Sequence, residues 1–452
     1  MKQLASEKKW LILIACYHML WFLGAVCWRH IYNGDSYEYF YLAQNLKHGF
    51  YYSGNPALPV KDIEVSLRMP LYAWFLSFIQ FVFGPYNLIV LVFQNILSIL
   101  NCWLVYRFFK RFFQFKKYTW IYWIFIMGYP AQCLFANMIV PDIVLQLFLL
   151  LYVNNWLLYE KVKSGKHFWL MSLYLILAMA VKPVVYPLII LHFVYSLWQV
   201  FRLRKVRFFF AGIIPLLLIL SFGFWNRERT GIYHISSVQP HNLIDYNIYT
   251  FHVAKYGTGA ADKMKRKAHA IIDREPSYAT RYAKAEALAK DTIKSNLASY
   301  ALFHLGKSLR YFIEPGKSEM DLFTGYTTYL ELKDSSRLNF RKSLEHTGVS
   351  GAWQYFLSYP YWPLILLIVL INCLRFFGFL YFFFDRKNPF VLRLIIFLFV
   401  GYFAVITGPV SNYTRYFLPV LLFVSVCSAM GYAALWQQWL KPKLKNIYRE
   451  HP

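Results

Sequence analysis

An all-α membrane protein, built as a polytopic helical bundle, is the fold class this sequence predicts, on three observations. Hydrophobic residues make up 58% of the 452, charged residues only 15%, and aromatics 21%. Many apolar runs reach the ~20 residues with which a helix crosses a ~30 Å hydrocarbon core. These runs are continuous, without the period-2 alternation of a barrel strand. Because a backbone in lipid must satisfy its own hydrogen bonds, the spans are helices.

Ten spans are expected. The first, 10–28, follows Lys2, Lys8 and Lys9 and so leaves the cytoplasm. It lacks a small-residue cleavage site and is too long for a signal-peptide core, so it reads as a retained span. A polar loop, 29–69, comes next. The run "PLYAWFLSFIQFVFG" (70–84) has 15 residues and starts at a proline. If it crossed, the basic "KRFFQFKK" (110–117) would land outside, against the positive-inside rule. It is therefore assigned as a re-entrant or interfacial helix on the outer side. Spans at 86–109, 118–136, 139–159, 168–182, 183–201 and 208–225 then alternate, leaving "EKVKSGKH" and "RLRKVR" inside. Residues 226–357 form an outer region, long enough to escape the charge rule. Within it, 275–312 is Ala-rich and unbroken by proline after Pro276, so it should be helical. Spans at 359–384, 390–407 and 416–438 and a basic cytoplasmic tail complete the chain. The organisation is an N-terminal bundle (1–225) carrying the loop 29–69, an outer helical region (226–357), and C-terminal spans with the tail (358–452).

The formal charge of +26 does not indicate nucleic acid. Much of the Lys and Arg lies in short loops, where it sets topology and meets membrane lipids, and no nucleic-acid-binding motif is present. All six cysteines fall inside apolar runs, so neither disulfides nor a metal cluster is expected.

Ionisable groups at membrane depth are costly and are functional candidates by default. Here they gather at one level. Asp35 and Arg68 lie on the first outer loop, Asp142 begins the fourth span, and Lys182 occupies an outer turn. Arg227 and Arg229 emerge after the seventh span, and Arg415 opens the last. Carboxylates and cations from distant segments on one face suit an anionic, membrane-embedded substrate. Each residue also has a plain structural reading. Asp35 and Glu38 spell a D-x-x-E capping box. Lys182, Arg227 and Arg415 fit snorkelling side chains, and Asp142 a helix N-terminal charge. Arg375, deeper in its span, reads as structural and snorkelling inward; His18 and His192 read as packed. The 412–414 sequon is too close to the membrane to carry weight.

Taken together, these segments resemble the GT-C-fold polytopic glycosyltransferases related to protein O-mannosyltransferases and lipid A aminoarabinose transferases. "GDSYEYFYLAQNLKHG" is similar to their D-x-x-x-Y-x-x-x-A opening, and "RMPLYAWFLSFIQFVFG" to their proline-led juxtamembrane helix. "AVKPVVYPLII" resembles their lysine–proline turn, "FWNRERTGIYHISSVQPHNL" their W-x-x-R-N-x-x-x-G segment, and "TRYFLPVLLF" their closing R-Y-x-x-P span. Two departures stand out: the paired D-E of the mannosyltransferases is Asp35-Ser36 here, and the tryptophan-led segment leaves Arg227 and Arg229 as alternative matches.

The resemblance implies an inverting transfer from a polyprenyl-phosphate-linked sugar donor to a glycan, lipid or protein acceptor, on the outer face of a bacterial inner (plasma) membrane. It implies Asp35 as general base, with Lys182, Arg415 and one of Arg227 or Arg229 on the donor phosphate. Tyr39, at i+4 from Asp35, starts a stripe with Leu42, Ala43 and Leu46 that would dock the helix and hold the carboxylate. Arg68 and Asp142 are expected to position substrate. The visible residues require no metal or other cofactor, and Asp35 with Asp142 leaves a divalent-cation site open. A lipid or glycan transporter or flippase is the alternative, although repeated halves and midplane ion sites are not visible. A non-catalytic scaffold is a third reading that leaves the charge cluster unexplained.

Overall fold

The structure, a computed structural model, describes residues 2–113, 115, 118–328, 340–408 and 413–440. Asn412 of the sequon, positions 114, 116 and 117 of the basic run, and the tail 441–452 lie outside the described residues.

The described residues are largely helical and contain no strand. The first half comprises α1 (Lys2–Trp28), α2 (Ser36–Lys47), α3 (Pro70–Phe83), α4 (Asn87–Phe112) and α5 (Thr119–Met127). It continues with α6 (Ala131–Ala136), α7 (Asp142–Val162), α8 (Gly165–Val181), α9 (Tyr186–Leu203) and α10 (Arg207–Thr230). Next come α11 (Tyr249–Tyr256), α12 (Thr258–Ile272), α13 (Tyr278–Ser295), α14 (Leu297–Arg310), α15 (Lys317–Thr324) and α16 (Phe340–Leu357). The last three are α17 (Trp362–Phe384), α18 (Phe390–Thr407) and α19 (Tyr413–Leu435).

Eight helical stretches among the described residues are long and apolar enough to cross a membrane. The chain is a multi-pass helical membrane protein. At 1.5 Å per residue, the 14 residues of α3 span about 21 Å, short of a ~30 Å core. The 17 residues of α8 reach about 26 Å.

The expected continuous span over 118–136 is not formed. It divides into α5 and α6 at Gly128-Tyr129-Pro130. A proline in a helix interior forfeits a backbone hydrogen bond and clashes with the preceding turn, so α6 begins afresh after Pro130. The division admits a buried amide ladder. Gln132 donates to Ser98 Oγ (2.8 Å) and to Gln146 Oε1 (2.9 Å). Asn137 pairs with Asn95, while Gln146 donates to the carbonyl of Leu418 (2.7 Å). Such bonds join apolar helices where no hydrophobic force distinguishes a neighbour from lipid.

Helix α19 is the axis of the bundle, packing against α4, α5, α6, α7, α17 and α18. Residues 417–429 are buried all round, as expected of a central helix. It closes tightly on α17, where a Cβ built on Gly431 would overlap the Gly378 carbonyl oxygen. Gly431→Ala should therefore destabilise the bundle by about 1–3 kcal/mol, the usual cost of overpacking. Gly401→Ala, at a site with open space, should not. Thermal unfolding of the detergent-solubilised protein distinguishes them, and equal midpoints for the two variants would remove the close-packing account.

Between α10 and α17 a smaller apolar core forms around Ile244, Phe251, Ala289 and Tyr300. The Ala-rich 275–312 segment folds as α13 and α14, which meet at Asn296. Ser277 and Thr280 cap α13 reciprocally, each side chain bonding the other's backbone N–H. A strap at 232–238 is stitched to the turn Asp62–Ser66. His234 Nε2 meets Ser66 Oγ at 2.5 Å, Ser236 donates to the Leu67 carbonyl (3.2 Å), and Ser237 donates to the Ile63 carbonyl.

Candidate active site

Asp35 occupies the N-cap of α2. The chain reaches it from α1 through a short segment held by the Ile139 N–H, which donates to the Ile31 carbonyl (2.9 Å). Ser36 then fixes the turn. Its buried hydroxyl accepts from Asn33 N–H (2.8 Å) and donates to the Ile139 carbonyl (2.8 Å). This is why a small hydroxyl rather than a second carboxylate fits beside Asp35.

The expected capping box is not made. The Asp35 side chain forms no cap hydrogen bond, and its backbone is already helical. Arg68 Nη2 donates to Asp35 Oδ1 (2.7 Å), and Arg415 Nη1 donates to Asp35 Oδ2 (2.5 Å). Glu38 takes Arg68 Nε at 2.5 Å. Two guanidiniums outbid the backbone amide, because hydrogen bonds between ionised partners are about twice as strong as neutral ones.

Arg415, at the first turn of α19, links two carboxylates. Its Nε donates to Asp142 Oδ2 (2.7 Å), and Lys182 Nζ donates to Asp142 Oδ1 (3.0 Å). Lys182 also lies 4.7 Å from the Tyr416 ring centroid. Asp35, Glu38 and Asp142 thus face Arg68, Lys182 and Arg415, three carboxylates against three cations. The cluster gathers the first loop, the start of α7, the turn after α8 and the start of α19. Lys182 and Arg415 are buried there, so neither snorkels.

Exposure separates the two aspartates. Asp142 is 1% exposed and both its oxygens hold cations, whereas 21% of the Asp35 side chain is open. Asp35 is the aspartate an incoming molecule can reach, and Glu38 beside it is open as well, at 31%. Burial pushes its pKa up, but Arg68, Arg415 and Lys182 outweigh that and hold it well below the usual carboxylate range. Arg415 has one further donor, Nη2, which is buried without a hydrogen-bond partner. An unsatisfied guanidinium N–H in a charged cluster is an anion acceptor in waiting.

The remaining candidates fall around this centre. Tyr39 is buried in the α2 stripe with Leu42 and Ala43, packs edge-on against Tyr72 (5.0 Å), and lies beneath Arg68 (5.7 Å). Arg229 is turned toward the first loop. It donates to the carbonyls of Tyr51 and Val65 and stacks on Trp225 (4.3 Å). Tyr51 in turn donates to the Arg68 carbonyl (2.5 Å), so Arg229 braces the loop that presents Arg68. The Arg227 side chain is exposed and joins none of the cluster's ion pairs described above.

Sequence reasoning weighed Glu38 only as a cap partner and missed the amide ladder. Gln146 lies one turn below Asp142 on α7, so the ladder anchors the helix that carries the site. Arg375 does not snorkel. It is buried, donating to Asn372 Oδ1 (2.6 Å) and the Phe125 carbonyl (3.2 Å) and stacking on Tyr129 (4.6 Å). His18 and His192 are packed against Ser98 and Ser172. Among the described residues, no three or more His, Cys, Asp or Glu are placed so that they could hold one metal ion. A divalent ion shared by Asp35 and Asp142 would have to displace the Arg415 that bridges them.

No family model and no curated protein matches the chain. Among solved structures, it is similar to the archaeal oligosaccharyltransferase AglB from Archaeoglobus fulgidus, in complex with an inhibitory peptide and a dolichol-phosphate. The identity is 14% and the TM-score 0.48, over 98% of this chain and 52% of that one. It is also similar to ArnT from Cupriavidus metallidurans in the apo state, at 9% identity and TM-score 0.36, over 94% and 77% of the two chains. The chain spans about half the length of the AglB structure.

Proposed function

We propose that this chain is a membrane glycosyltransferase that moves a sugar from a polyprenyl-phosphate donor to an acceptor hydroxyl, with inversion. One observation carries the reading: a reachable carboxylate, Asp35, shares Arg415 with a buried cation pocket in which Arg415 Nη2 has no partner. Lys182 and Arg415 take the donor phosphate, and the polyprenyl chain lies along the bundle in lipid. Asp35 accepts the proton of the acceptor hydroxyl as its oxygen bonds to the anomeric carbon. The bond from that carbon to the phosphate oxygen breaks on the opposite side, and the lipid phosphate leaves with the electron pair. Preorganised cations at the developing charge supply several kcal/mol in a dry site. The reaction so written needs no cofactor.

At rest Asp35 is a weak base because Arg68 and Arg415 stabilise its ionised form. A phosphate that draws Arg415 away restores basicity when the donor is in place. Arg68 stays on Asp35 and Glu38 and sets the angle of the carboxylate. Basic residues in the short loops support cytoplasmic termini and an outward-facing site in a bacterial inner membrane.

The depressed pKa has a definite sign. Asp35 stays ionised as pH falls below its ordinary ~3.9, so its stabilising ion pairs persist above that value and are lost only on further acidification. The wild-type pH profile of kcat/KM, which reports the free enzyme, should therefore show no limb from Asp35 between pH 7 and about 4. Arg68→Gln should bring an acidic limb into that range by removing one of the opposing cations. The test of the function is mass spectrometry of envelope glycans after gene deletion. Loss of one sugar substituent, restored by the wild-type gene, is expected; an unchanged glycan profile would contradict the transfer reading.

A further inference from the structure

A cavity of about 480 Å³ opens between the 60–63 segment, the 237–244 segment and helices α12 and α13. None of Asp35, Arg68, Asp142, Lys182 or Arg415 lines it. Its size falls in the 300–1,000 Å³ range of small-molecule sites, which combine an apolar wall with a few placed polar groups.

The wall is Tyr278 and Tyr282, whose ring centroids are 6.1 Å apart, together with isoleucine side chains. Tyr278 is only 9% exposed, and its hydroxyl is buried with no partner in hydrogen-bonding geometry. Neighbouring Ser237 gives its own proton to the Ile63 carbonyl, and its oxygen interacts with the Tyr278 hydroxyl outside good hydrogen-bond geometry. A buried hydroxyl held at poor geometry gains from an occupant that bonds it well. Charge on the lining is balanced: Lys61 and Arg281 against Asp62 and Asp273, with His269 Nε2 committed to Asp245 (2.8 Å).

This combination selects a ligand class. Balanced charge disfavours a phosphate or a strongly charged peptide. A pyranose has an apolar C–H face that fits tyrosine rings, and hydroxyls that both donate and accept. Asp62 and Asp273 accept such hydroxyls, while Arg281 and the Tyr278 hydroxyl donate. We propose that the cleft binds neutral sugars of a glycan acceptor, a site separate from the one where transfer occurs. The proposal rests on the transfer reading and names its acceptor class.

The cleft is tied to the transfer site. Asp62 opens the same turn that leads, through Leu67, to Arg68, and the strap carrying His234 and Ser237 is bonded to that turn. His234 also packs on Tyr282 (5.4 Å). A glycan held by its non-reacting sugars would spend that binding energy on orienting the hydroxyl that reaches Asp35.

The test is saturation-transfer NMR on the full-length protein in nanodiscs. The probes are the methyl glycosides of glucose, mannose and N-acetylglucosamine, with the peptide Gly-Ser-Gly-Ser-Gly as control. Saturation should reach the ring protons of at least one glycoside. Tyr278→Phe, which removes only the hydroxyl, should weaken that binding about fivefold, the equivalent of one ~1 kcal/mol hydrogen bond. Tyr282→Ala should abolish it. Asp35→Asn should bind as wild type does, so that loss of transfer and loss of the cleft are read separately. Overturning results are no glycoside signal above empty nanodiscs, a signal unchanged in both tyrosine variants, or saturation of the peptide alone.

Discussion

Asp35→Asn should lower sugar transfer by roughly 10²–10⁴-fold, the usual contribution of a positioned general base, while the protein still folds and inserts. The amide keeps the volume and one acceptor oxygen for Arg68 or Arg415, but it cannot take the acceptor's proton. Its nitrogen faces a guanidinium, so a modest loss of stability is expected as well. The rate must therefore be scaled to folded protein, measured by size exclusion and thermal unfolding. Full turnover by the folded variant would remove Asp35 from the role of base.

Arg415→Met should damage both fold and function. It leaves Asp35 with Arg68 alone and Asp142 with Lys182 alone, at positions where Asp142 is 1% exposed. Removing one partner of a buried ion pair typically costs 3–5 kcal/mol, because the other charge stays buried. Combining Arg415→Met with Asp142→Asn should cost less than the two single losses summed, since their contact is lost only once, although Lys182 then keeps only an amide oxygen as partner. Transfer should not return, because the phosphate has lost its bridging guanidinium. Thermal unfolding of the two single variants and the double variant closes the cycle. Strict additivity of the stability losses would show that Arg415 and Asp142 act independently, contrary to the 2.7 Å contact.

Much of the fold was legible because hydropathy and helix periodicity are local signals. The α2 stripe of Tyr39, Leu42 and Ala43 was readable at spacings of three and four, and those residues are buried. The break at Gly128-Tyr129-Pro130 was also written in the chain, but as a turn signal inside an apolar run, where hydropathy masks it. The capping box failed for a different reason. D-x-x-E is a local rule, and it lost to Arg68 and Arg415, which lie 33 and 380 residues away in the chain. The sequence listed charges at one level without showing which of them pair. It left Arg227 and Arg229 equivalent, whereas one is exposed and the other is bonded to loop carbonyls. The tyrosine-walled cleft was invisible, since residues 60–63 meet α12 and α13 only through the tertiary fold.

On this reading the buried cations receive a lipid phosphate. Native mass spectrometry of the full-length protein, offered equal undecaprenyl phosphate and undecaprenol, tests it most directly. The phosphate lipid should be retained and the alcohol not, and Lys182→Met should weaken retention about 10-fold or more, as for loss of a charged hydrogen bond. Equal retention of both lipids, or retention of the phosphate unaffected by Lys182→Met, would contradict the account.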